Sequence, residues 1–208
     1  MDQCSDIRPF ELSNDNKPVT ARQWSEFSRP KEVAGALVDL YRDKGEGRYD
    51  EDVTQTEHAR QCAALALAAQ VSDAAVVAAF LHDIGHLFMD ETVAERHDRR
   101  HEEVGSRFLR RWFEPEVWEP IRLHVDAKRC LCTLEPRYAA TLSIASTQSL
   151  QLQGGPMDPE EVEAFTSSDH SRAALQLRRW DDQAKDPTAS TPGLEVFEAI
   201  IESVLCRH

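Results

Sequence analysis

The sequence predicts an all-α fold, a bundle of helices around one core. Apolar side chains return at intervals of three and four residues in several separate stretches, and helix-capping residues precede many of them. No stretch shows the strict alternation of apolar and polar residues that is typical of a strand. The 208 residues, 41% of them hydrophobic, can bury one sizeable core. We therefore expect an N-terminal arm over residues 1–27 and one helical domain over residues 28–208.

The first two helices have clear start signals. Pro30 suits an opening turn, and Gly45 closes the apolar stripe that follows it: Val33, Leu37, Leu40 and Tyr41. Thr54 and Glu57 form a capping box, in which each side chain satisfies a backbone amide of the other residue. The second helix is therefore predicted to open immediately before His58.

The third helix is predicted to be buried on most sides. Ser72 caps it, and a nearly continuous apolar run over residues 74–81 leads to His82 and Asp83. Later stretches predict further helices by the same spacing or by Asp-Pro capping: Val104 to Trp112, Ile121 to Val125, Tyr138 to Ser149, Asp158-Pro159, Ala173 to Asp181 and Leu194 to Val204.

Composition and charge exclude several classes of function. A net charge of -13 and a pI of about 5.0 argue against binding to a nucleic-acid backbone, which requires a basic face. No apolar run approaches the roughly 20 residues that span a bilayer. Five cysteines, an odd number, and the lack of a secretory signal pattern predict a reduced, cytoplasmic protein. Cys130 and Cys132 form only C-x-C, which is more typical of buried side chains than of a thiolate metal site.

His82-Asp83 is the centre of the functional argument. A His-Asp pair alone is usually an ordinary surface or capping pair, but here it follows a buried helix, where a carboxylate needs a partner or a metal. Other polar side chains also occur in helices with an inward apolar stripe: His58, His101, His124 and Asp181. Neutral imidazole and ionised carboxylate are ordinary metal ligands. The sequence thus predicts a metal centre in the core.

At these residues the chain resembles the HD-domain mixed-valent di-iron oxygenases that degrade hydroxyphosphonates, and more distantly myo-inositol oxygenase. The resemblance spans roughly residues 49–185. Its matching stretches are VTQTEHARQCA from 53, AAFLHDIGHL from 78, HEEVG from 101, HVDAKRCL from 124, LSIASTQSLQLQGGPM from 142 and LRRWDDQAK from 177.

The resemblance implies a pair of iron ions, Fe2+ and Fe3+, with dioxygen as co-substrate. One iron would be held by His58, His82, Asp83 and Asp181. Asp83 would bridge to the other, held also by His101 and His124. This set leaves each ion short of an octahedral shell, so that substrate and dioxygen have positions to occupy.

The resemblance also implies a cationic pocket for the phosphonate, formed by His86, Lys128, Ser146, Ser149 and Arg178. The catalytic residues that it implies are Asp83, His86 and Lys128. Lys128 lies one turn after His124, and an ordinary solvated lysine is the alternative. His86 would share the face of His82 if that helix continued through Gly85.

Relatives that act on the aminoethyl substrate have a Tyr three residues before a Glu, whereas Tyr49 lies two before Glu51 here. The resemblance implies an iron-closing role for Tyr49 and an amine-binding role for Glu51, and the shorter spacing leaves a different head group open. The acidic cluster of Asp50, Glu51 and Asp52 either attracts a cationic head group or is a solvated loop.

The resemblance implies oxidative cleavage of the carbon-phosphorus bond of a 1-hydroxyphosphonate by dioxygen. The candidate substrates are 1-hydroxyethylphosphonates with an amino or a trimethylammonio group at carbon 2, which would give phosphate with glycine or glycine betaine. An HD-type phosphohydrolase acting on a nucleotide or phosphoester is the alternative, because metal-activated water needs only part of this ligand set. A non-catalytic module would require lost ligands, yet all six are present.

Overall fold

The computed structural model describes residues 24, 27, 29–47, 52–88 and 100–206, and their regular elements are helices. The prediction of an all-α fold is therefore confirmed. The α-helices are α1 (Pro30–Lys44), α2 (Gln55–Ala68), α3 (Asp73–Leu81), α4 (His101–Leu109), α5 (Pro115–Leu134), α6 (Pro136–Ala139), α7 (Ile144–Leu152), α8 (Pro159–Thr166), α9 (Ser171–Gln183) and α10 (Leu194–Val204). A short 3-10 helix, Ile84–Phe88, lies between α3 and α4.

Several helices begin and end where the sequence signals predict. Pro30 opens α1 and Gly45 follows its last residue. The capping box before α2 forms, because the Glu57 amide donates to Thr54 Oγ1 while the Thr54 amide donates to the Glu57 carboxylate at 2.8 Å. Ser72 caps α3 through the amide of Ala75.

The predicted continuous stripe from Tyr138 to Ser149 is wrong, because the chain forms two helices there. The four-residue α6 ends at Ala139, and the Ser143 hydroxyl caps α7 by accepting from the Ser146 amide at 3.1 Å. A side-chain cap satisfies the exposed amides of a new helix, so the helix restarts although the apolar spacing continues.

Helix α3 lies at the centre of the bundle. It packs against α2, α5, α9 and α10, and its residues from Val76 to Leu81 are almost completely buried. The Tyr41 hydroxyl of α1 donates to the Phe80 carbonyl at 2.9 Å and so fixes the end of α3. Trp24 is also buried, with its ring 4.8 Å from that of Phe108. The C-terminal end of α3, where His82 and Asp83 follow, is thus held deep inside the protein.

The start of α4 lies directly on the 3-10 helix. A Cβ atom at Gly85 would lie 2.0 Å from the His101 carbonyl oxygen, and one at Gly105 would lie 3.2 Å from Ile84. Glycine at position 85 therefore lets the turn after Asp83 approach the first turn of α4. Within the described residues, no helix has both the length and the apolar character that crossing a membrane requires.

Candidate metal centre and substrate pocket

The first group of predicted metal ligands meets on one side of Asp83. His58 on α2, His82 after α3 and Asp181 on α9 are all buried. His58 Nε2 lies 3.2 Å from His82 Nε2 and 3.4 Å from Asp181 Oδ1. Asp83 Oδ2 lies 3.4 Å from His82 Nε2 and 3.8 Å from His58 Nε2.

The second group lies on the other side of the same carboxylate. His101 on α4 and His124 on α5 direct their Nε2 atoms to Asp83 Oδ1, at 3.3 Å and 3.6 Å. The two Nε2 atoms are 3.0 Å apart. Each oxygen of Asp83 therefore faces a different pair of imidazoles, which is the arrangement required of a carboxylate that bridges two metal ions.

The protonation of these rings is set by the backbone. Because a carbonyl oxygen can only accept, three imidazoles donate from Nδ1 at 2.7–2.9 Å: His58 to Ala184, His82 to Ala79 and His124 to Ile121. In the neutral rings each Nε2 then presents a lone pair. Two such lone pairs only 3.2 Å apart, at His58 and His82, repel each other unless a cation lies between them. The donor set thus fits a metal.

Burial and mutual charge favour the ligand forms of these side chains. Burial lowers the pKa of His82, and burial together with the neighbouring His101 lowers the pKa of His124 to about 3. Burial opposes ionisation of Asp83 and Asp181, but the histidines near both carboxyls, and Arg178 beside Asp181, hold their pKa values well below the usual range. Neutral imidazoles and ionised carboxylates are the forms that bind metals.

A cavity of about 220 Å³ adjoins the second group. His101 and His124 line it, together with Asp83 and Asp181. The residues that the sequence predicted for the substrate line it as well: His86, Lys128, Ser146, Ser149 and Arg178. Helix α7 supplies both serines, one turn apart, and so forms one wall.

Lys128 is buried, with only 2% of its surface exposed, so the alternative of a solvated lysine is wrong. It follows His124 by one turn of α5, and its Nζ donates to Ser149 Oγ at 2.7 Å. The Ser149 hydroxyl in turn donates to the Ser146 carbonyl at 3.1 Å. The ammonium group is therefore brought to the cavity wall beside the second group of ligands.

Arg178 connects the cavity to the metal centre. Its Nη1 lies 2.7 Å from Asp181 Oδ2, and its Nε lies 3.1 Å from Asp182 Oδ2 and 3.3 Å from the Tyr138 hydroxyl. The Tyr138 hydroxyl also donates to Asp182. The two carboxylates outweigh burial and raise the pKa of Arg178 well above its ordinary value. Its positive charge is thus largely offset by its own helix.

His86 reaches the cavity by a different route from the one predicted. Helix α3 ends at Leu81 and a 3-10 helix follows, so the condition that the α-helix continue through Gly85 is not met. The His86 ring instead stacks on that of His101, with centroids 4.0 Å apart and planes 20° from parallel. A ligand atom of His86 lies within 4.8 Å of those of Asp83 and His101, so His86 could also serve as a ligand.

Tyr49 and Glu51, with the neighbouring Asp50, lie outside the described residues. Their implied roles at the iron and at the substrate amine stay predictions.

Several further residues line the cavity wall and were not predicted from the sequence: Val125, Ala145, Leu152, Gln153 and Lys185. Lys185 lies beyond the end of α9 at Gln183, so its helical spacing from Asp181 gave no signal for its position. Cys130 and Cys132 are buried, as expected.

Comparison with known proteins gives the class of this protein. The HD domain family matches residues 56–164, and the chain belongs to that family. It is 43% identical to a hydroxymethylphosphonate dioxygenase of Gimesia maris over 85% of its own length and 90% of the relative's. It is 36% identical to a glycine-betaine-forming [1-hydroxy-2-(trimethylamino)ethyl]phosphonate dioxygenase of Leisingera caerulea, over 85% of its own length and 91% of the relative's. These findings confirm the resemblance stated from the sequence.

Proposed function

We propose that this chain is a di-iron dioxygenase that uses dioxygen to cleave the carbon-phosphorus bond of a 1-hydroxyphosphonate, releasing phosphate and a carboxylate. The observation that carries the proposal is the arrangement of Asp83, which turns one oxygen to each pair of imidazoles beside a cavity lined by cationic side chains. Hydrolases of the same fold need one activated water, for which the second imidazole pair is not required.

We infer that the two metals are iron, as Fe2+ and Fe3+. His58, His82, Asp181 and one oxygen of Asp83 would hold the first, while the other oxygen of Asp83, with the two further histidines, would hold the second. Mixed imidazole and carboxylate ligands suit first-row transition metals. When bound, an iron pair supplies the electron transfer and dioxygen activation that side chains cannot perform.

The cavity supports substrate binding at the second ion. Its wall includes His101 and His124 but neither His58 nor His82, so a ligand there meets the side of the cluster that has fewer protein donors. A hydroxyl and a phosphonate oxygen on adjacent atoms could chelate a metal at that position. The reacting carbon would then lie beside the metals while the rest of the phosphonate lies toward α7.

The phosphonate oxygens would be bound by Lys128 and by the hydroxyls of Ser146 and Ser149. Lys128 provides a charged donor in a buried position, where an ionic hydrogen bond is strongest. Arg178 holds Asp181 in place while its Nη2 lies 3.5 Å from Ser146 Oγ. His86, whose ring stacks on that of His101, would contact the substrate hydroxyl.

The described wall favours a substrate with a small, uncharged head group. Its remaining residues include Val125, Ala145 and Leu152, and its carboxylates among the described residues are the two metal-centre aspartates, Asp83 and Asp181. Hydroxymethylphosphonate fits this wall, and its balanced reaction consumes dioxygen and gives formate, phosphate and a proton. The amino and trimethylammonio substrates stay candidates through Glu51, which lies outside the described residues.

The test is turnover by the iron-loaded protein. Protein loaded with iron under anaerobic conditions should release phosphate from at least one of three hydroxyphosphonates, methyl, aminoethyl or trimethylammonioethyl, only after dioxygen is admitted. The carbon product, formate, glycine or glycine betaine, identifies the head group. Absence of phosphate release from all three would refute the dioxygenase. Phosphate release from a nucleotide under strict anaerobiosis would support the phosphohydrolase instead.

A further inference from the structure

Lys185 is a second lysine at the cavity wall, besides Lys128. It follows Ala184, whose carbonyl accepts the Nδ1 proton of His58, so its backbone is fixed beside the metal centre. Its Nζ lies 3.2 Å from Ser146 Oγ and 3.3 Å from Ser143 Oγ. The ammonium group therefore reaches the first turn of α7 from the end of α9.

The charges around the cavity suggest that Lys185 contributes to binding the anionic phosphonate. A fully ionised phosphonate carries two negative charges, and each of them requires compensation in a buried site. The guanidinium of Arg178 already contacts the carboxylates of Asp181 and Asp182, so it adds little net positive charge. Among the described residues of the wall, the other ammonium groups are those of Lys128 and Lys185.

The two lysines form matching pairs with the serines of α7. Lys128 Nζ lies 2.7 Å from Ser149 Oγ, and Lys185 Nζ lies 3.2 Å from Ser146 Oγ. Because the serines are three residues apart on one helix, the two pairs face the cavity one turn apart. Each pair combines a cation with a hydroxyl, which is a suitable site for one phosphonate oxygen.

We propose that Lys185 is a substrate-binding residue that, together with Lys128, makes the pocket selective for a dianionic phosphonate over a monoanionic analogue. The inference rests on the proposed function and extends it by a residue that sets specificity. Two ammonium groups attract a dianion more strongly than a sulfonate of the same shape, which carries one negative charge. Lys185 is thus expected to affect the choice of anion more than the binding of the carbon end.

The test compares two ligands on the iron-loaded holoprotein without dioxygen. Dissociation constants are measured for hydroxymethylphosphonate and for hydroxymethanesulfonate with the parent protein, Lys185→Met, Lys185→Arg and Lys31→Met. Lys31 is exposed on α1, so its variant loses the same charge away from the cavity. We expect Lys185→Met to bind the phosphonate at least tenfold more weakly and the sulfonate within about threefold of the parent, a selectivity change that loss of the ammonium predicts. Lys185→Arg should recover most of the phosphonate affinity.

Two results would overturn the inference. The first is phosphonate binding by Lys185→Met within twofold of Lys31→Met. The second is an equal loss for phosphonate and sulfonate, which would indicate a role in packing only. Both readouts are binding constants, so failure of the proposed oxidation would show separately, as a parent protein that binds phosphonate but releases no phosphate in dioxygen.

Discussion

Replacing Lys128 by Met should weaken phosphonate binding while leaving the protein folded. The lysine is almost fully buried, and Nζ donates to Ser149 Oγ at 2.7 Å. Methionine has nearly the same length and volume but carries no charge. Ser149 keeps its own acceptor, the Ser146 carbonyl at 3.1 Å, so the variant leaves the serine proton satisfied.

These contacts predict a small change in stability and a large change in affinity. Because lysine and methionine have nearly the same volume, the change opens no cavity, and the free energy of unfolding should stay within about 2 kcal/mol of the parent. Removal of one partner from a buried ionic contact with the phosphonate costs roughly 2–5 kcal/mol. At about 1.4 kcal/mol per factor of ten, binding should weaken by about 30-fold or more.

Two measurements check this prediction. Urea unfolding at pH 7 gives the stability of Lys128→Met, and anaerobic calorimetry with iron-loaded protein gives the phosphonate dissociation constant. Iron content, measured per chain, should equal that of the parent, since Lys128 is not in the ligand set. Phosphonate affinity within threefold of the parent, or destabilisation by more than about 2 kcal/mol, would refute the reasoning.

Three further predictions concern the metal centre and its support. Asp83→Ala should lose both irons, because the two oxygens of Asp83 face both groups of ligands. His101→Ala should keep the ion held by the first group. Equal iron per chain in the two variants, measured by elemental analysis, would contradict bridging by Asp83. Gly85→Ala should destabilise the protein by about 3 kcal/mol in urea, because its Cβ would lie 2.0 Å from the His101 carbonyl, while Gly35→Ala, with 3.6 Å of room, should be neutral or stabilising. Since the folded pKa of His124, about 3, is below its unfolded value near 6.5, the unfolded chain binds more protons between them. The metal-free protein should therefore lose about 2 kcal/mol between pH 7 and pH 5, and an unchanged urea midpoint over that range would contradict this.

Much of the fold follows from the sequence because its signals are local. The capping box at Thr54 and Glu57 and the buried run ending at Leu81 each involve neighbouring residues, and the structure has them as predicted. The candidate ligands also meet as expected, since helices with inward apolar stripes turn the polar residues of those stripes toward a common interior. A polar residue on such a face is necessarily directed into the interior of the bundle.

Other features depend on contacts that spacing does not contain. The apolar period continues past Ala139, but the cap at Ser143 restarts the helix. The turn into a 3-10 helix after Asp83 depends on the close approach of α4 to Gly85, a contact between separate segments. Lys185 lies beyond the end of α9 and reaches the cavity only because Ala184 is fixed against His58.

The anchoring of the imidazoles has a consequence for how this site tolerates mutation. Three rings are oriented by main-chain oxygens, those of Ala79, Ile121 and Ala184, which every amino acid possesses. Substitution at any of these three positions leaves the acceptor in place. The side chain there is therefore constrained by the space available in the core and not by hydrogen bonding to the ring. His101 differs, since its ring stacks on that of His86, with centroids 4.0 Å apart, and one substitution can remove that side chain. Substitutions that weaken the metal centre by changing the orientation of an imidazole should therefore act mainly through His101.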